Sequence, residues 1–141
     1  GCDEVFVFDA ATLPGQVLQA TGGLKADVVY DPIGRTTLGA SLDCLRPRGL
    51  LVSFGATSGL PDPISVATLN AKGSLFLTRP SLAAHTATAA EYQERARDVL
   101  AAVAAGIIVP GVWRRYALAE VAQAHGDLEQ GRSQGAIILT P

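Results

Sequence analysis

Three short stretches hold residue types that could take part in chemistry: Asp31-Pro32-Ile33-Gly34, Gly55-Ala56-Thr57-Ser58-Gly59 and Thr78-Arg79-Pro80. Each directly follows an apolar run that reads as a strand. In an open parallel sheet, ligands bind outside the carboxyl ends of the strands, where loops leave for the helices. Two of these loops carry almost no side-chain bulk. Glycine permits close backbone approach, Thr57 and Ser58 can donate hydrogen bonds, and Ile33 and Phe54 offer apolar contact. Arg79 could pair with a phosphate or a carbonyl. Such a set suits a nucleotide groove. Taken singly, each glycine loop reads more readily as a plain turn and Arg79 as a surface charge. Only the coincidence of two loops on one edge brings the binding reading level with the plain one.

Other chemistries find no nucleus. His85 falls in a loop, and His125 falls on an apolar helical face, where a hydrogen-bonded structural histidine is the plainer reading. No HExxH or CxxC pattern occurs, which leaves zinc-hydrolase readings without support. Asp31 could act as a base at a strand end, but no partner is near it in sequence. No residue is therefore assigned a catalytic role, and no metal is expected. G-x-G-x-x-G is also absent. Cys2 and Cys44 make neither a disulfide framework nor a zinc cluster, and read as buried thiols of a cytoplasmic protein. A net charge of −2 gives no basic footprint for nucleic acid, and no apolar stretch approaches the roughly 20 residues that span a bilayer. With 48% hydrophobic and 17% charged residues the chain is globular, and its 141 residues make one domain or part of a larger one. It contains no methionine even at position 1, so it is expected to begin after processing, after truncation or inside a longer protein.

The elements that must position these loops follow from patterning. Residues 4–8 read as a strand, and Val17 and Leu18 sit on a weak helix stopped by Gly22-Gly23. Strand 27–31 ends at Pro32 and Gly34. Thr36 or Thr37 can cap a helix bearing Leu38, Leu42 and Leu45, which Pro47 helps to end. The Arg46 and Arg48 pair near that helix end favours the helix dipole and solvent. Strand 50–54, a brief helix around 65–71 and strand 74–78 complete an α/β alternation, the signature of a parallel sheet covered by helices. From about residue 82 the character changes. Thr88 to Glu91 forms a capping box opening a helix with Tyr92, Ala96, Val99, Leu100 and Val103 on one stripe. An extended stretch over 107–116 follows. A last helix shares Leu118, Val121, Ala122, His125 and Leu128 on one face, Gly131 stops it, and 136–139 closes the chain as a strand.

The runs VVYDPIG, SLDCLRPRGLLVSFGATSG and KGSLFLTRPSL, with the ending YALAEVAQAH…LEQGRSQGAIILTP, resemble the later portion of the zinc-independent NADPH:quinone oxidoreductases of the medium-chain dehydrogenase/reductase superfamily. The resemblance spans essentially the whole chain and implies a fragment that passes hydride from NADPH to a quinone or enone. It implies an incomplete Rossmann-like sheet with helices on both faces over residues 1–81. Residues 82–141 would form an α+β segment returning to a catalytic domain. Phe8, Ile33, Gly34, Phe54, Gly55, Thr57, Thr78 and Arg79 would line the cofactor groove, with the glycine fingerprint upstream of residue 1. Phe8 stands where this family commonly has a tyrosine for the 2′-phosphate of NADPH, so NADH stays open beside it. The resemblance also implies a homodimer through strand 74–78. With the strand order 3-2-1-4-5-6, residues 4–8 would be strand 3, expected to pair beside strand 27–31 or with another chain. Two alternatives are an enoyl reductase module of a polyketide-type synthase and a non-catalytic module that dimerises or binds a nucleotide.

Overall fold

The computed structural model describes residues 2–141 as two compact units, the first running to His85 and the second from Thr86 to Pro141. In the first, α1 (Leu13–Ala20), β1 (Ala26–Asp31), α2 (Leu38–Asp43), β2 (Leu45–Ser53), α3 (Val66–Ala71), β3 (Phe76–Thr78) and α4 (Leu82–His85) follow in order. The three strands form a parallel sheet in the order β1-β2-β3. Val29, Leu51 and Leu77 are aligned in register, as are Val28, Leu50 and Phe76 one position earlier. Because side chains alternate along a strand, these two rows point to opposite faces.

The core fills one face only. Leu51, fully buried, meets Leu38 and Leu42 of α2, Leu45 and Leu75, with Val29, Ile64 and Leu69 packed against them. On the other face Val28, Tyr30 and Phe76 are exposed.

Several local expectations need correction. Residues 4–8 form no strand and pair with none; Val5 and Val7 are exposed. In the six-strand order, two strands lie between the third and the fourth, so residues 4–8 would sit about 14 Å from β1 at ~4.8 Å per spacing. Among the described residues no strand fills that interval. The second correction concerns α2, which ends at Asp43, before Pro47. Leu45 already pairs with Ala26 as the first residue of β2, and the ladder shifts before resuming at Val28 and Leu50. Inside that irregularity Arg48 takes a φ of +62° and donates its amide to the Gly73 carbonyl at 2.8 Å. Arg46 does not serve a helix end; it pairs with Asp27 on the neighbouring strand at 2.5 Å. Thirdly, Cys44 is buried but Cys2 is exposed.

Local signals open the helices. Pro14 lies in the first turn of α1, where its missing N–H costs nothing. Ser65 caps α3 by accepting from the Thr68 amide. In the second unit α5 (Ala89–Ala104) opens on the reciprocal Thr88–Glu91 capping box. There β4 (Val112–Ala117) and β5 (Ala136–Thr140) pair in parallel, connected through a 3-10 turn and α6 (Val121–Glu129). The face of α6 bearing His125 and Leu128 is exposed; Ala124 and Asp127 turn inward instead. Asp127 accepts from the Tyr116 hydroxyl and from Arg132 at 2.5 Å, which ties β4 to both ends of the connection.

Candidate functional site

Parallel pairing aligns Asp31 with Ser53 and Val52 with Thr78, so the three strands end on one edge of the sheet. Ile33, Gly34, Phe54, Gly55, Thr57, Thr78 and Arg79 all leave from that edge. Phe8 does not; it lies in the unpaired segment before α1 and is half-exposed.

At the edge the two glycine loops are bound to each other. The Ser58 amide and hydroxyl both donate to the Ile33 carbonyl at 2.8 Å, and the Thr57 hydroxyl donates to the Pro32 carbonyl at 3.1 Å. In return the Arg35 amide donates to the Gly59 carbonyl and the Thr36 amide to the Ser58 hydroxyl, each at 3.1 Å. This zipper explains the small residues. A Cβ on Gly55 would lie 2.1 Å from the Pro32 carbonyl oxygen, and one on Gly34 would lie 2.7 Å from that of Gly59. Gly34 also has a φ of +93°, a conformation L side chains rarely adopt. The glycines let one loop approach the other, and the Thr57 and Ser58 hydroxyls are engaged within the pair.

Asp31 anchors the arrangement. Its carboxylate is buried at the end of β1 and receives four donors. The Ile33 and Gly34 amides reach Oδ1 at 2.8 and 3.0 Å, the Thr37 hydroxyl lies within 2.9 Å of both oxygens, and the Ser41 hydroxyl reaches Oδ2 at 2.7 Å. Burial is the largest single influence on this carboxyl and would raise its pKa. The donors together outweigh it and hold the group below its ordinary value, so the carboxylate is ionised. Thr37 occupies the residue before α2 but does not cap it; its hydroxyl is turned to Asp31 instead. The spacing carried this signal. An Asp two residues before a free amide favours a turn closed by its own side chain, and Thr37 and Ser41 are four apart on one helical face.

Arg79 is engaged as well. One guanidinium nitrogen donates to the Gly55 carbonyl at 3.0 Å and to the Ser53 carbonyl and hydroxyl at 3.3 Å. It therefore ties the end of β3 to the start of the 54–59 loop. Below it a cavity of about 190 Å³ is lined by Ser53, Asp62, Leu77 and Arg79, too small for a dinucleotide. What the edge offers a ligand is apolar: Ile33 and Phe54 are partly exposed, and Phe54 meets Tyr30 edge to face with ring centroids 6.5 Å apart. Tyr30 is an addition to the residues singled out from sequence.

With this geometry in hand, the comparisons with known proteins are direct. Residues 1–139 match the zinc-binding dehydrogenase family, and the chain belongs to it. It is 41% identical over 143 residues to a quinone oxidoreductase of Salmonella typhimurium, and 39% identical over 142 residues to a 2-haloacrylate reductase of Burkholderia. All of this chain aligns in both cases, with 44% and 43% of the relative. In three dimensions it superposes on mycobacterial Rv1454c complexed with NADPH with a TM-score of 0.92 and 42% identity, over all of this chain and 44% of that one. The chain thus spans less than half the length of the relatives it matches. The α/β sheet corresponds to the Rossmann-like fold of these proteins. Among the described residues no group of three or more His, Cys, Asp or Glu side chains could hold a metal. No described helix is long and apolar enough to cross a membrane.

Proposed function

We propose that this chain is part of an NADPH-dependent, zinc-independent oxidoreductase acting on quinones or enones. The observation that carries the reading is the convergence of three parallel strand ends, with their interlocked loops, on one edge. In a doubly wound sheet such an edge is where the nucleotide lies. The likeness to an NADPH complex over the full chain supports it. When bound, the nicotinamide supplies the hydride. The chain's own share is placement: Ile33 and Phe54 as apolar walls, Gly34, Gly55 and Thr57 as close backbone, Thr78 and Arg79 at the nicotinamide end. Phe8, lacking a hydroxyl, would contribute contact without reading the 2′-phosphate. Such sites work by orientation and polarisation, without an acid or base from these residues. The 2-haloacrylate reductase relative favours acceptors with an activated double bond beside quinones.

In this reading residues 1–81 belong to the nucleotide domain and 82–141 return to a catalytic domain. Support comes from the exposed apolar residues of the second unit, among them Leu100, Ile107, Val109, Leu118 and Leu128, which need a cover. The exposed edge residue Phe76 supports pairing of two β3 strands in a cytoplasmic homodimer. The test is steady-state NADPH oxidation by the full-length protein with a quinone and with an α,β-unsaturated ketone. Turnover of either, unchanged by a metal chelator, is the expected result. A folded full-length protein that neither binds nor oxidises NADPH would refute the reading.

A further inference from the structure

We propose that Asp31 is a positioning residue: its buried carboxylate fixes the turn 32–34, and through that turn sets the 54–59 loop before any nucleotide arrives. The chain of contacts is continuous. Oδ1 holds the Ile33 and Gly34 amides, Thr37 touches both oxygens, and Ser41 holds Oδ2, so the turn is fixed from the sheet side and from α2 at once. Pinning those amides aims the Pro32 and Ile33 carbonyls outward, where they take up the hydroxyls of Thr57 and Ser58. The Asp31 carbonyl itself accepts the Phe54 amide at 3.0 Å. Phe54, the exposed apolar wall, is therefore held by the backbone of the residue whose side chain holds Ile33, the other wall.

A carboxylate suits this task because both of its oxygens accept. An amide in its place could keep the Oδ1 bonds to the two amides, but would turn an NH2 group toward Ser41 and Thr37, whose hydroxyls would have to reverse. The consequence for nucleotide binding rests on the functional reading above; the consequence for loop order does not.

Two variants of the full-length protein test it, Asp31→Asn and Thr37→Val, with Thr37→Ser as the conservative control that keeps the hydroxyl. Amide hydrogen exchange of the nucleotide-free protein is read first. Exchange at residues 54–59 should rise at least tenfold in both variants and stay near wild type in Thr37→Ser, with β2 and the second unit unchanged. NADPH affinity, measured by titration, should then fall about tenfold while the KM for the acceptor changes less than twofold. Exchange at 54–59 equal to wild type in both folded variants, or a uniform rise across the whole domain, would overturn the proposal. Should Asp31→Asn fail to fold, Thr37→Val alone decides by the same readout. If wild-type protein binds no NADPH, the functional reading fails, and the exchange pattern still judges the role of Asp31.

Discussion

At the residue scale the decisive contacts lie within the loops. Gly55 has the Pro32 carbonyl where its Cβ would be. Relief would require backbone movement, so Gly55→Ala should cost about 3 kcal/mol or more, at the upper end of overpacking. Gly15, in the first turn of α1 with open space around it, is the contrast. Gly15→Ala should stabilise the chain by about 0.5–1 kcal/mol, since alanine loses less backbone freedom on entering a helix. Urea unfolding of the two variants beside wild type checks both signs. Ser41→Ala leaves a buried carboxylate oxygen short of a donor and should cost about 1–3 kcal/mol. These side chains were the least legible part of the sequence. Small residues after a strand suit a ligand and suit a neighbouring loop equally, and only the paired geometry distinguishes them. Asp31 looked partnerless because its partners Thr37 and Ser41 approach from the next helix.

Elements were legible where a local signal ends them. The capping box at Thr88 satisfies orphan N–H groups near at hand, so no tertiary context is needed. Thr88→Ala should cost about 1 kcal/mol and show in the unfolding of the second unit rather than the first. Elements failed to be legible where the neighbour decides. Leu45 has the spacing to continue α2, yet Ala26 on β1 draws it into the ladder. Residues 4–8 have strand composition, but a strand exists only beside another strand, and here no neighbour is within reach. Leu51 sits where all core elements meet, and Leu51→Ala should cost about 2–5 kcal/mol.

At the scale of the whole molecule, what the chain leaves uncovered is as informative as what it buries. One sheet face packs against α2 and α3, and the other presents Val28, Tyr30 and Phe76 to solvent. The relatives are more than twice as long, and full cover of that face is a property of the longer protein in the proposed reading. Acid should unfold the first unit through Asp31. Its folded pKa lies below the ordinary 3.8, so its contribution is complete above that value and is lost as pH falls through it. Wild type should therefore lose stability more steeply than Asp31→Asn as pH falls below 3.8, as urea midpoints on either side of that value would record. In the proposed reading the shared edge of β1, β2 and β3 is the wall of a nicotinamide-nucleotide groove. The most direct measurement is the hydrogen-exchange footprint of NADPH on the full-length protein. Protection concentrated at residues 32–36, 54–59 and 78–79 is the predicted result. NADPH that binds and leaves all three stretches unprotected would contradict the account.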